Sequence, residues 1–433
     1  MNSELHLQSI SQLNHFLVKK EIDFEEVLIS CYERIQVDES EVRAWKYVIP
    51  KEKLVSSGSY GPLFGLCLGV KDIFATIDGP TSMGTDNGTW TGTKGGFDAR
   101  IISKIRAAGA TIIGKNKTAE FAVHEPTDTR NPRNYLLTPG TSSSGGAAAV
   151  ASGHVSISIS SQTAGSIARP SSYCGVIGFK PSFGELPRTG VLKTTETLDT
   201  VGIIGNSVEN ISSVFEIARV QGSNHPLHMN RASTRLGSVK IMHAIGPTFD
   251  TASPATRGNA LSIATKLMGD IKLLDLLDET SLDFMSLRKC HSDIYAKELS
   301  YFLQDELKSN SISEGLKEFG MYGRDLPDKD YRNQLNFLMA QRRIADFELK
   351  NCVIIALSAS DEAPKIGAKD LIDANLFWTS LGLPQISLPI LSSKSNHAIG
   401  LSIIGFRGSD SYILDLAQKL YPSNINYADV KSL

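Results

Sequence analysis

Two serine-bearing loops carry the strongest chemical signal in the sequence. The first is Gly140-Thr141-Ser142-Ser143-Ser144-Gly145-Gly146, and the second is Gln162-Thr163-Ala164-Gly165-Ser166. Ala164 and Gly165 let the backbone before Ser166 come close to a ligand. Successive N–H groups there can point at one oxygen, as an oxyanion hole requires. A helix beginning near Ser166 would add its N-terminal dipole. A nucleophilic serine also needs a base. No histidine lies in either loop, which leaves a distant histidine or a lysine made neutral by burial. Lys71 follows the strand-like run Leu66-Cys67-Leu68-Gly69-Val70, an unfavourable place for an ammonium unless it titrates or pairs. Two plainer readings stand beside these. The loops can be serine-rich turns, and Lys71 can be ion-paired to Asp72 or another acid.

Other motifs carry less. Gly109-Ala-Thr-Ile-Ile-Gly114-Lys115-Asn116 nearly fits a phosphate-binding loop. Asn116 stands where a hydroxyl is needed, and the apolar residues between the glycines read as a strand. His225 and His228 form a close pair in a polar loop with no carboxylate or thiolate at a ligand-like offset, so no metal site is expected. Cys174, with Val176 and Ile177 beside it, reads as a buried structural thiol.

The elements that must position Lys71, Ser142 and Ser166 follow from apolar periodicity. Ile10, Leu13, Phe16 and Leu17, then Val27, Leu28, Cys31 and Ile35, give two amphipathic helices joined near residues 22–24, with Asp23 as the cap of the second. Of the 36 glycines, 23 lie between Gly58 and Gly205, so that stretch is built of short elements with tight loops. The runs 65–70, 111–114, 155–159 and 176–179 read as buried strands, and 99–108 and 145–152 as helices between them. Residues 206–350 are more charged and mostly helical in period, as in 259–268 and 333–348. Strands return at 353–357, 385–388 and 399–404, and a last helix spans 411–420. Strand–helix alternation predicts an α/β architecture. The simplest organisation is one domain over 1–433: N-terminal helices (1–57), a Gly/Ser-rich core (58–205), a variable helical region (206–350), and C-terminal strands with a helix (351–433).

Composition sets outer bounds. The 433 residues hold 44 Lys+Arg and 46 Asp+Glu, a net charge of −2, with 41% apolar and 21% charged residues. These are ordinary globular proportions, and they give no basic field to favour nucleic acid. The five widely spaced cysteines, Cys31, Cys67, Cys174, Cys290 and Cys352, show no C-x-x-C and suit a reducing compartment. The N-terminal residues do not read as a signal peptide, and no segment has the ~18 consecutive apolar residues of a membrane span. A soluble cytoplasmic protein is expected, without a membrane partner.

The sequence resembles the amidase signature family of serine hydrolases. The resemblance rests on Gly69–Asp72 (GVKD), Asp98-Ala99, Ala107–Ala110, Gly114-Lys115, Arg130-Asn131-Pro132, the PGTSSSGG loop, QTAGS, Gly175–Gly184, Asp199–Gly202 and Gly382-Leu383-Pro384. It implies a mixed central β-sheet with helices on both faces. It also implies a Ser-cisSer-Lys triad: Ser166 as nucleophile, Ser142 as bridging serine after a cis peptide, and Lys71 as neutral base. The 24-position separation of Ser142 and Ser166 fits that pattern. By the same resemblance, the backbone N–H groups of Thr163, Ala164, Gly165 and Ser166 form the oxyanion hole. Ser143 and Gln162 support the site, and Met83, Phe121 and Trp378 lie in the segments that shape the substrate pocket. No metal or organic cofactor is expected.

The chain departs from the commonest family pattern, D-T-G-G-S-I-R. It has Gln162 for the acid, Ala164 for a glycine and Ala168 for the arginine, with Arg169 one place on; Thr141 and Ser144 replace usual glycines. The expected activity is hydrolysis of a small-molecule amide, with a homodimer possible. One alternative is the A-type subunit of a glutamine-dependent amidotransferase, which works with an aminoacyl-tRNA in a larger complex; it is the one reading that brings in nucleic acid. The other is a non-catalytic binding module on the same scaffold.

Overall fold

The computed structural model describes residues 4–54, 60–85, 96–123, 125–220, 240–244, 252–268, 274–368, 374–391 and 398–421. His225 and His228 lie outside the described residues.

The strands are β1 (Trp45–Val48), β2 (Cys67–Lys71), β3 (Thr111–Asn116), β4 (Ile157–Gln162), β5 (Ile177–Lys180), β6 (Thr200–Gly205), β7 (Lys240–His243), β8 (Leu274–Asp275), β9 (Cys352–Leu357), β10 (Gln385–Leu391) and β11 (Ala398–Gly405). They form one sheet in the order β1-β3-β2-β4-β6-β5-β10-β11-β9-β7-β8. The sheet is mixed: β2 runs parallel to β3 and β4, and β7 to β8 and β9, while the other pairs are antiparallel.

The helices are α1 (Ile10–Val18), α2 (Phe24–Val42), α3 (Arg100–Ala107), α4 (Ser144–Ala151), α5 (Ala168–Cys174), α6 (Val208–Ala218), α7 (Pro254–Met268), α8 (Leu276–Glu279), α9 (Phe284–Phe302), α10 (Glu314–Asp325), α11 (Asp328–Glu348), α12 (Asn375–Ser380) and α13 (Asp410–Leu420). Asp23 caps α2 as expected: its carboxylate accepts the Glu26 N–H at 2.9 Å, and Glu26 bonds back to the Asp23 N–H.

Strand periodicity divides the core between the two faces. Val353, Ile355 and Leu357 of β9 join one apolar cluster, with α1–α4, α6 and α13. Cys352, Ile354 and Ala356 join the other, with α9–α12. Alternate side chains of a strand point to opposite faces, so helices cover this sheet on both sides. The expected apolar runs lie in β2–β5 and β9–β11. The structure adds β1, β6, β7 and β8. The near phosphate-loop motif is buried strand β3, and Lys115 within it pairs with Asp72 at 3.7 Å. Cys174 is buried at the end of α5, and burial pushes its thiol up. Among the described residues no helix is long and apolar enough to cross a membrane.

Helix α4 matters most for the site, because Ser142 and Ser143 lead into it. Its sequence, SGGAAAVA, is buried throughout. A Cβ on Gly145 would lie 2.4 Å from the Ala44 carbonyl oxygen and 2.4 Å from the Lys117 nitrogen, and one on Gly146 would lie 2.5 Å from Ser158 Oγ. Small residues thus let α4 approach the sheet closely.

Gly145→Ala is expected to destabilise the fold by about 1–3 kcal/mol through overpacking against backbone. Gly258→Ala, in exposed α7 with nothing within 4 Å of the new Cβ, is expected to stabilise by about 0.5–1 kcal/mol. Thermal unfolding of the two variants checks both signs; equal effects would contradict the packing account.

Candidate active site

The site forms where β2 and β4, parallel neighbours, reach their C-terminal ends. Their register pairs Val70 with Ile159. That brings Lys71, the last residue of β2, beside the serines that end β4. The segment before α4 supplies a third wall.

Lys71 is fully buried. Its Nζ lies 2.6 Å from Ser142 Oγ and 3.0 Å from Ser161 Oγ. Among the described residues it forms no ion pair. Burial lowers its pKa from 10.5 to about 7, against a smaller opposing pull from Asp199. The ion pair with Asp72 that the sequence left open is not formed. Asp72 faces Lys115 instead, whose ammonium also donates to Thr81 Oγ1 at 2.7 Å and to the Phe74 carbonyl.

Ser142 is buried, and its Oγ lies 2.9 Å from the Ala122 carbonyl. Its hydroxyl therefore sits between two acceptors. With a proton on Lys71 it donates to Ala122; with Lys71 neutral it can donate to Nζ. Every peptide bond among the described residues is trans, including the one before Ser142. The cis peptide implied by the resemblance is absent here, and Ser142 reaches Lys71 and Ala122 from the ordinary, lower-energy peptide form. Thr118 Oγ1 holds the Ser142 carbonyl at 2.7 Å, and Ser143 Oγ donates to the Ser161 carbonyl at 3.3 Å.

Ser166 lies partly exposed in the loop between β4 and α5. Among the described residues no hydrogen bond joins it to Ser142. Where the loop meets α5 it is held by a neutral group. Gln162 is buried at the end of β4; its Oε1 accepts the N–H groups of Ile167 at 2.8 Å and Ala168 at 3.1 Å. Its Nε2 donates to Thr379 Oγ1 at 2.9 Å. The helix expected near Ser166 thus begins at Ala168, and Gln162, six residues upstream, accepts the N–H groups at its start. The carbonyls of Thr163, Ala164 and Gly165 accept from His291 Nε2 (2.9 Å), Thr379 Oγ1 (2.7 Å) and the Arg169 N–H (2.9 Å).

Asp199, part of a matched segment but given no role from sequence, is a buried hub. Its Oδ1 accepts hydroxyls from Thr163 (2.7 Å), Thr194 (2.9 Å) and Thr195 (2.9 Å), and its Oδ2 accepts the N–H groups of Thr194 (2.8 Å) and Thr195 (3.0 Å). Five donors satisfy this carboxylate without Lys71. Sequence reasoning also passed over Ser161, Ala122, His291 and Thr379. His291 and Thr379 lie 128 and 215 positions from the carbonyls they hold, and no local spacing marks them.

Met83, Phe121 and Trp378 share one apolar cluster. Phe121 and Trp378 are fully buried, while Met83 is partly exposed. A small cavity beside Lys71 is lined by other residues, among them Ile73, Ala122, Ser161, Thr163, Leu192 and Thr194. Among the described residues no group of three or more His, Cys, Asp or Glu could hold a metal ion.

Comparison with known proteins accords with this arrangement. The A-type subunit of glutamyl-tRNA(Gln) amidotransferase from Natranaerobius thermophilus is 32% identical over 238 residues, 51% of this chain and 48% of that one. The chain spans about half the length of the curated relatives it matches. Among solved structures, 6-aminohexanoate cyclic dimer hydrolase superposes with a TM-score of 0.85 at 20% identity, covering 99% of this chain and 98% of that one. Peptide amidase from Stenotrophomonas maltophilia gives 0.79 at 19%, covering 96% and 98%. At such identities the structural likeness is one of fold. Residues 26–233, which hold Lys71, both serine loops and Asp199, match the family model described as Amidase.

Proposed function

We propose that the chain is an amidase signature hydrolase that cleaves the C–N bond of a small-molecule amide, with Ser166 as nucleophile, Ser142 as proton bridge and Lys71 as base. The observation that carries this reading is the buried Lys71, with serine hydroxyls as its hydrogen-bond partners and a pKa lowered to about 7. An amine kept as a structural cation would be expected beside a carboxylate, as Lys115 is beside Asp72.

The reaction follows from these groups. Neutral Lys71 takes the Ser142 proton as Ser142 takes that of Ser166. Ser166 Oγ bonds to the amide carbon, and the oxyanion accepts from N–H groups of residues 163–166. Each such donor contributes about 2.7–4 kcal/mol to transition-state stabilisation. The C–N bond then breaks as the proton returns through Ser142 to the leaving nitrogen. Water attacks the acyl-enzyme, releasing the carboxylate and restoring Ser166. This route uses no metal or organic cofactor. All five cysteines are buried and free, which suits a cytoplasmic setting.

A second reading is an amidotransferase component, favoured by the curated relatives over half the chain. An amide-library screen on the purified chain, with ammonia and carboxylate detected, separates the two. Turnover of the chain alone supports the hydrolase. Glutamine hydrolysis that requires tRNA and partner chains supports the alternative. Ser166→Ala should abolish turnover while keeping the fold; full activity in that variant would reject the nucleophile.

The pH profile tests the base. Lys71 acts when deprotonated, so kcat/KM should rise as pH increases through about 7. Lys71→Ala should lose most activity and that limb. A limb that survives in the variant would identify another base.

Gln162→Leu tests the loop support. It leaves the Ile167 and Ala168 N–H groups without their acceptor, an expected loss of about 1–3 kcal/mol. Urea unfolding together with kcat/KM checks it. Unchanged stability would mean that the amide does not hold the loop.

A further inference from the structure

The proposed oxyanion hole needs its N–H groups aimed, and the chain shows what aims them. In a trans peptide the carbonyl of one residue and the N–H of the next point in opposite directions. Fixing a carbonyl therefore fixes the next N–H. The Gly165 carbonyl is fixed locally by the Arg169 N–H at 2.9 Å, which sets the Ser166 N–H. The other two are fixed from far along the chain. His291 of α9 holds the Thr163 carbonyl at 2.9 Å, and Thr379 of α12 holds the Ala164 carbonyl at 2.7 Å. Among the described residues, the N–H groups of Ala164, Gly165 and Ser166 donate to no protein acceptor. They are left for a ligand oxygen.

From this we infer that His291 is a positioning residue of the reaction: its Nε2–H sets the Thr163–Ala164 peptide and thereby aims the Ala164 N–H at the oxyanion. The inference rests on Ser166 being the nucleophile. A carbonyl can only accept, so the proton must be on Nε2. The ring is buried and meets Tyr295 edge-on at 5.9 Å, so little freedom remains for the donor. Tyr295 in turn packs beside Thr163 and Thr194, whose hydroxyls bond Asp199. His291 touches no reacting atom. Its effect passes entirely through one peptide plane. A helix of the region between 206 and 350, otherwise remote from the serine loops in sequence, is thus part of the catalytic geometry.

The test uses a fluorophosphonate probe on the full chain, because the amide substrate is unidentified. In labelling, Ser166 Oγ bonds to phosphorus, fluoride leaves, and the serine proton passes to the Ser142–Lys71 pair. The phosphoryl oxygen takes the oxyanion position. Glutamine can place its Nε2 where the histidine Nε2 lies, whereas asparagine reaches only as far as Nδ1. His291→Asn should slow labelling of Ser166 about 10- to 100-fold, less than the roughly 10²- to 10³-fold cost of losing an oxyanion donor outright because the Ala164 N–H is misaimed and not removed, while His291→Gln stays within about threefold of wild type. Both should keep the wild-type pH midpoint for labelling, since Lys71 is untouched. Equal rates for Asn, Gln and wild type would overturn the inference, as would a glutamine variant slower than the asparagine one. Failure of wild-type Ser166 to label would remove the nucleophile reading, and this inference with it. Labelling of wild type with no Asn–Gln contrast would remove this inference alone.

Discussion

A lysine amine sealed inside the sheet, with no ion-pair partner among the described residues, is the constraint on which the rest of the site depends. An ammonium there is disfavoured by burial, and a nearby unsaturated carboxylate would restore it. The surroundings withhold one. Asp72 is turned to Lys115. Asp199 pulls the Lys71 pKa upward against burial, yet five other donors occupy its oxygens. What remains for Nζ is Ser142 and Ser161. A hydroxyl can both donate and accept, so it satisfies the amine in either protonation state. That is the property a proton relay requires.

The loop that carries Ser166, the proposed nucleophile, obeys the same economy of charge where it meets α5. In the commonest family pattern an acid stands where this chain has Gln162. Here a neutral amide performs two tasks at once, accepting two N–H groups at the start of α5 and donating to Thr379. A carboxylate could accept the same N–H groups but could not donate to Thr379. It would also add a negative charge to a buried region that holds Lys71. The arginine of that pattern is also absent, with Ala168 in its place, and a buried cation there without an acid nearby would be strongly unfavourable.

Much of this was legible in the sequence, and the remainder was hidden for definite physical reasons. Buried strands β2–β5 and β9–β11 announce themselves as short apolar runs. Strands β1, β7 and β8 are short and carry Lys46, Lys240 or Asp275, so neither alternation nor an apolar run marks them. Lys71 stood out because a lysine at the end of an apolar run is anomalous. Its neighbour Asp72 is not its partner, because neighbouring residues at a strand end project to different sides and Asp72 faces Lys115. The serine loops were readable as a unit because their residues are contiguous in sequence. The side chains that fix the Thr163 and Ala164 carbonyls come from α9 and α12. Only the folded chain brings those helices to the loop.

The backbone around Ser142 shows where the fold accepts strain to complete this geometry. Of the six described non-glycine residues with positive φ, Met83, Phe121 and Ala122 lie together beside the site, at φ 57°, 46° and 60°. Such conformations cost on the order of 1–3 kcal/mol each and persist only where surrounding contacts over-determine them. Those contacts are present. The Met83 N–H donates to the Asp72 carbonyl at 3.0 Å, the Phe121 N–H donates to the Met83 carbonyl at 2.7 Å, and the Phe121 ring is fully buried. The consequence falls on the next group along: the Ala122 carbonyl, 2.9 Å from Ser142 Oγ. It gives the Ser142 hydroxyl, the proton bridge of the proposed mechanism, an acceptor when Lys71 carries a proton. A relaxed turn at 121–122 would point that carbonyl elsewhere. Ser142 would then lack an acceptor whenever Lys71 is protonated. On the proposed mechanism the strained turn and the lowered lysine serve one end, a Ser142 hydroxyl satisfied on both sides of a proton transfer.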